Sequence, residues 1–162
     1  MRYVGRIGLI VTVLAVIAGL TLVAGLPYSP LTAYADNPYV YGQPGAPRVT
    51  RLSGAEEVPP ADPDGSGFAS VWLNYGKGTL CWEVSYSNIA TPTAAHIHHA
   101  GAGVNGPVVV PLSPIAAGCA TPTKSLIKDI IQNSEDYYVN VHNAVYPGGA
   151  IRGQLSNRGQ SD

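Results

Sequence analysis

Period-two alternation, broken by turn residues every few positions, constrains this chain more than any other feature. From Thr79 to Tyr86, the residues Leu80, Trp82, Val84 and Tyr86 alternate with Thr79, Cys81, Glu83 and Ser85, as in a strand with one face in a core. Similar short segments are Arg48 to Leu52, Phe68 to Leu73, Pro107 to Leu112, Tyr138 to Asn143 and Ala150 to Leu155. Asp62-Pro63-Asp64-Gly65-Ser66-Gly67 and Asn74-Tyr75-Gly76-Lys77-Gly78 punctuate them as turns. Glu56-Glu57-Val58-Pro59-Pro60 reads as a rigid strand entry. Strands this close in sequence, joined by tight turns, predict an all-β fold: an antiparallel, Greek-key-like sandwich or barrel. One segment departs from the alternation. Residues 122–133 put Leu126, Ile127, Ile130 and Ile131 at helical spacing, with Thr121 as cap and Pro122 in the first turn, so one short helix is expected to cover an end or face of the sheet.

Two of the extended segments, Ala94-Ala95-His96-Ile97-His98-His99 and Tyr138-Val139-Asn140-Val141-His142-Asn143, hold all four histidines of the chain. Alternation places His96 and His98 on one face and Ile97 on the other, and sets His142 opposite in parity to Val139 and Val141. With the aliphatic residues in a core, three imidazoles face away from it. Neutral imidazole nitrogens suit copper or zinc and leave a position open for water or another ligand. Solvated or hydrogen-bonded strand histidines are the alternative. His99 has the opposite parity and reads as a strand-end residue, a substitute ligand or a bystander.

The N-terminus bears the marks of export. Arg2 and Arg6 precede an apolar run from Ile7 to Leu26, followed by Ala33-Tyr34-Ala35, which predicts a signal segment over residues 1–35 with cleavage before Asp36. The run is also long enough to serve as an uncleaved membrane anchor, the one route by which a membrane would become a partner. Removing residues 1–35 takes away two of nine basic residues and none of ten acidic ones, for a net charge of −3. Without a basic stripe to neutralise phosphates, nucleic acid is not a partner. Cys81 and Cys119 are the only cysteines, and export makes a disulfide between them the expected state, with a thiol site for Cu(I) as the alternative. Residues 36–47, rich in Pro, Tyr and Gly, read as a tether, residues 48–157 as a single domain and residues 158–162 as a polar tail.

Four motifs in order carry a family resemblance: Leu52-Ser53-Gly54-Ala55-Glu56-Glu57-Val58-Pro59-Pro60, Ala94-Ala95-His96-Ile97-His98, Asn105-Gly106-Pro107-Val108-Val109, and Tyr138-Val139-Asn140-Val141-His142 running into Tyr146-Pro147-Gly148-Gly149-Ala150-Ile151-Arg152-Gly153-Gln154-Leu155. From about Leu52 to Leu155 the chain resembles the chordin-type, or CHRD, domain. That resemblance implies an extracellular β-sandwich module with no activity settled for the family as a whole. A more distant likeness adds chemistry. His96-Ile97-His98 is similar to the strand that supplies two copper ligands in copper/zinc superoxide dismutases, His142 resembles the later histidine of that copper site, and Arg152 resembles the arginine that guides superoxide there. The long zinc-binding loop and its bridging histidine are missing, since only His99 lies between His98 and His142. The likeness therefore implies metal binding without efficient dismutation. Arg152 has a second reading, a surface strand arginine paired with a carboxylate.

Around the three histidines, Asn140, Glu56 and Glu57 are candidates, by composition, to hydrogen-bond the imidazoles and decide which ring nitrogen binds. Tyr137, Tyr138 and Tyr146 flank His142 and could line a surface. No G-x-S-x-G elbow supports a hydrolase, and Asp62-Pro63-Asp64-Gly65 lacks the later ligands of a calcium loop. Two function classes follow: a secreted metal-binding sandwich using His96, His98 and His142, copper before zinc, with His99, Asn140, Arg152 and Glu57 as auxiliary residues; or a non-enzymatic adhesion module for an extracellular protein or matrix partner, with structural histidines.

Overall fold

The computed structural model describes residues 47–156. The residues expected to form a signal or anchor segment with its cleavage point, a tether and a polar tail lie outside the described residues. Eight strands form one antiparallel sheet: β1 (Arg48–Ser53), β2 (Ser66–Asn74), β3 (Thr79–Ser87), β4 (Pro92–His99), β5 (Val108–Pro111), β6 (Ala117–Ala120), β7 (Tyr137–Asn143) and β8 (Ile151–Gln154). Their order across the sheet is β5-β4-β7-β8-β1-β2-β3-β6. The two edge strands, β5 and β6, are consecutive in the chain. Six Cα steps from Pro111 to Ala117 reach at most about 22 Å, whereas seven spacings of a flat sheet would hold its edges about 34 Å apart. The sheet must therefore curl into a nearly closed barrel, the all-β architecture that the alternation implies.

The barrel closes on an apolar interior. Leu52, Val71, Leu80, Trp82, Ile97, Val139, Val141 and Ile151 form its centre, and Trp82 anchors the β5–β6 link by donating its indole N–H to the Pro114 carbonyl at 3.0 Å. Cys81 and Cys119 stand directly opposite each other in the β3–β6 register and form the expected disulfide. The alternation in β3 holds through Val84, but Tyr86 is 42 % exposed. The reason is topological: β6 pairs only with Leu80–Glu83, so the end of β3 projects beyond the covered part of the barrel.

The helix α1 (Lys124–Gln132) starts later than its apolar spacing suggested. Thr123, not Thr121, is the cap: its backbone is extended and its hydroxyl accepts the Leu126 N–H at 3.3 Å, leaving Pro122 outside the helix. Ile127 and Ile130 are buried, and Tyr137 of β7 donates its hydroxyl to Asp129, which ties the helix to the sheet. The Glu56–Pro60 segment is no strand entry. A 3₁₀ turn at Gly54–Glu56 follows β1, and residues 57–65 then run without strand or helix to the start of β2. The short β6, Ala-Gly-Cys-Ala, carries no alternation of large and polar residues and so left no strand signal.

Candidate metal centre

The histidines sit on the outer face of β4 and β7, and strand pairing explains why they meet. Register aligns His96 with Asn140 and Arg152, places His98 beside Tyr138 and Gln154, and sets His142 opposite Ala94. Ile97, Val139 and Val141 take the inner face with no exposure at all. The diagonal between His96 and His142 spans two adjacent strands, a distance that imidazoles bridge readily. Their ring centroids are 4.9 Å apart, and His98 lies 5.7 Å from His96 and 6.2 Å from His142. One ring nitrogen from each of the three lies within 4.8 Å of the others.

Backbone carbonyls set the tautomers. A carbonyl can only accept, so His98 donates its Nδ1–H to Gly106 O at 2.9 Å, and His142 donates its Nδ1–H to Pro147 O at 3.1 Å. Both rings then carry their lone pair on Nε2, and His96 donates its Nδ1–H to His142 Nε2 at 3.0 Å. Metal-ligating histidines commonly hold their second ring nitrogen this way. His98 Nε2 is buried with no hydrogen-bond partner among the described residues. Burial, with the other two rings as further causes, lowers the pKa of His96; burial and His98 lower that of His142 despite the Pro147 bond. Both rings stay neutral at pH 7, the state that coordinates.

The spacing fits one ion. Once the His96 proton moves from Nδ1 to Nε2, the two nitrogens 3.0 Å apart would each reach a metal at about 2.05 Å with an angle near 95° between them. Nitrogens sharing an ion at that length lie at most about 4.1 Å apart, so the widest separation of 4.8 Å must shrink by roughly 0.7 Å. Tetrahedral sharing, with nitrogens about 3.3 Å apart, requires the rings to close in further. His96 and His142 are half-buried and open to solvent, whereas His98 is only 8 % exposed. The three histidines thus face away from the core as parity implied, but loops roof one of them.

The remaining candidates divide sharply. His99 points elsewhere, stacks on Tyr137 at 4.7 Å and lines a separate cleft of about 530 Å³ beside α1. Arg152 is not a surface residue: it is 2 % exposed, its Nη1 donates to Val104 O at 3.3 Å and Asn105 Oδ1 at 3.0 Å, and its guanidinium lies 4.5 Å over the Tyr138 ring. The loop of residues 100–107 covers it, so parity placed it on the right face but could not reveal the roof. Asn140 is buried and donates to Glu57 Oε2 at 3.5 Å, while Glu56 is exposed and outside the cluster. Burial raises the Glu57 pKa to about 7, with Arg152 and the Asn140 bond pulling the other way. Glu57 and Asn140 therefore neighbour the histidine face rather than ligate through it. Tyr137 and Tyr138 are buried, and only Tyr146 retains partial exposure.

Sequence reasoning missed the two carbonyls at Gly106 and Pro147, because backbone acceptors have no residue signature. The Asn105-Gly106-Pro107 and Tyr146-Pro147-Gly148-Gly149 motifs were their only trace. Comparison with curated proteins and with solved structures found no match. The family model of the CHRD domain matches residues 49–155, from the first residues of β1 to the residue after β8, and the chain belongs to the CHRD-domain family.

Proposed function

We propose that this protein is an extracytoplasmic CHRD module, exported or anchored by residues 1–35, that binds one copper or zinc ion through His96, His98 and His142. One observation carries the reading: three ring nitrogens converge within 4.8 Å while carbonyls occupy the outward Nδ1–H groups of His98 and His142. Such a site stores, delivers or senses an ion, and copper is preferred over zinc on the likeness to the copper site of superoxide dismutases. Efficient dismutation is not expected. Among the described residues no second group of three or more ligating side chains adjoins the trio to supply a bridging histidine and its metal.

A second reading, a protein-binding or matrix-binding module with structural histidines, draws on the His96–His142 hydrogen bond, which gives those rings a role without metal. Elemental analysis of the exported protein, purified without an affinity tag, followed by titration with Cu(I), Cu(II) and Zn(II), separates the two. The metal reading expects one ion per chain, lost when His96 and His98 are both replaced by Ala with the fold intact. Equal metal content in that variant would falsify it.

A further inference from the structure

The loop that roofs His98 is fastened to β7, to β8 and to the segment after the 3₁₀ turn. Residues 100–107 are held from β8 by Arg152, which donates to Val104 O and Asn105 Oδ1, and by Gln154, which donates to Ala100 O at 2.7 Å. From β7 the Tyr138 hydroxyl accepts the Gly106 N–H at 3.1 Å. From the segment after the 3₁₀ turn, Val58 O accepts the Asn105 side-chain amide at 2.8 Å. The return to β5 is closed by the His99 N–H on Pro107 O at 3.0 Å. It is so tight that a Cβ on Gly106 would lie 2.0 Å from His99 O. His98 itself is bonded to this loop through Gly106 O, and both its ring and the Arg152 guanidinium lie against Tyr138, at 4.8 and 4.5 Å.

We propose that Arg152 and Asn105 are positioning residues that latch the 100–107 strap over His98 and thereby make release of a bound ion slow. The inference rests on the metal reading above and adds to it a kinetic device. His98 Nε2 has no free surface, while His96 and His142 are half exposed. An incoming chelator therefore meets His96 and His142 first, and the His98 nitrogen leaves the ion when the strap, which holds the other side of that ring through Gly106 O, lets the ring turn. Lifting it breaks the bonds that Asn105 makes in both directions, as acceptor from Arg152 and as donor to Val58. A buried guanidinium suits this place because its Nη1 donates to both strap acceptors while the flat group lies over the Tyr138 ring, a contact that an ammonium does not reproduce.

The test loads the full chain with one equivalent of Cu(II) and measures transfer to excess EDTA by stopped flow, with the electron paramagnetic resonance spectrum recorded beforehand. Arg152→Lys and Asn105→Leu should release copper about tenfold faster or more, the effect of losing a buried hydrogen bond, with an unchanged nitrogen-ligand spectrum. Asn105→Asp retains the acceptor for Arg152 but loses the donor to Val58 O, so its release rate should fall between those of wild type and Asn105→Leu. Asn105 is exposed, so Asn105→Leu decides the matter if Arg152→Lys does not fold. Release of Cu(II) from the variants at the wild-type rate overturns the latch and leaves the metal site standing. A changed spectrum also overturns it, since Arg152 would then be shaping the ligand set. A wild-type chain that takes up no Cu(II) overturns the latch together with the metal reading.

Discussion

Replacing His98 and His142 by Ala, one at a time, separates what each ring does for the fold from what it does for an ion. His98 is buried, stacks on Tyr138 at an interplanar angle of 9° and donates one buried hydrogen bond. An aromatic pair contributes about 0.5–1.5 kcal/mol and a hydrogen bond about 1 kcal/mol, so His98→Ala should cost the metal-free protein about 1.5–2.5 kcal/mol. His142 is half-buried, and its two bonds, one to Pro147 and one from His96, are partly open to solvent and so fall at the low end of about 0.5–1.5 kcal/mol each, for a total of about 1 kcal/mol. Towards metal the two should be equal, because each removes one of three nitrogens. At a free ion concentration 100 times Kd, the wild-type chain gains about 2.7 kcal/mol, or about 10–20 °C in Tm. A hundredfold loss of affinity leaves about 0.4 kcal/mol, a shift of about 2–3 °C. Urea denaturation of the metal-free variants and thermal melts with and without Cu(II) or Zn(II) measure both quantities. Retention of the full metal-induced shift by either variant refutes the ligand assignment. A metal-free His142→Ala protein as unstable as His98→Ala refutes the account of how the strap buries only one ring.

Other perturbations reach different parts of the structure. The Cys81–Cys119 disulfide closes a sequence separation of 38, which in the chain-entropy account corresponds to about 4 kcal/mol. The double Cys→Ser variant should lose about 2–4 kcal/mol in urea unfolding, and a loss below about 1 kcal/mol would contradict the entropic argument. Glu57, whose pKa rises from 4.5 to about 7 on folding, binds its proton more tightly in the native state. Its contribution to stability is complete below pH 4.5 and is lost as pH rises through 7. The metal-free wild type should therefore melt progressively lower as pH rises from 4.5 to about 7, and Glu57→Gln should flatten that slope; parallel profiles would rule out Glu57 as the source. Gly106→Ala should displace the strap, because its Cβ would meet His99 O at 2.0 Å. Amide exchange should then accelerate across residues 100–107, and exchange at the wild-type rate would show that the strap tolerates the side chain.

Much of this protein was legible before its fold was known, for reasons of periodicity. The two-residue repeat in β4 and β7 determined that Ile97, Val139 and Val141 would share a core and that His96, His98 and His142 would share the opposite face. Only the location of that core had to be supplied. The same repeat in β3 determined the burial of Leu80, Trp82 and Val84, and the isolated helical spacing determined α1 to within two residues of its start. Two cysteines in a chain with an export-like N-terminus pointed to one disulfide. The four ordered motifs determined the family.

Tertiary structure decided the rest, because the remaining facts depend on segments distant in sequence. Register between β4 and β7, 46 residues apart at His96 and His142, decided that the imidazoles converge rather than lie along separate strands. The 100–107 strap decided that His98 and Arg152 are buried, although strand parity alone marks them only as facing away from the core. The carbonyls of Gly106 and Pro147 decided which nitrogen of each ring points inward, and every residue carries the same carbonyl. Residue type and spacing determine which face a side chain takes; what covers that face, and which backbone atoms orient the groups upon it, is decided only when the loops are folded over it.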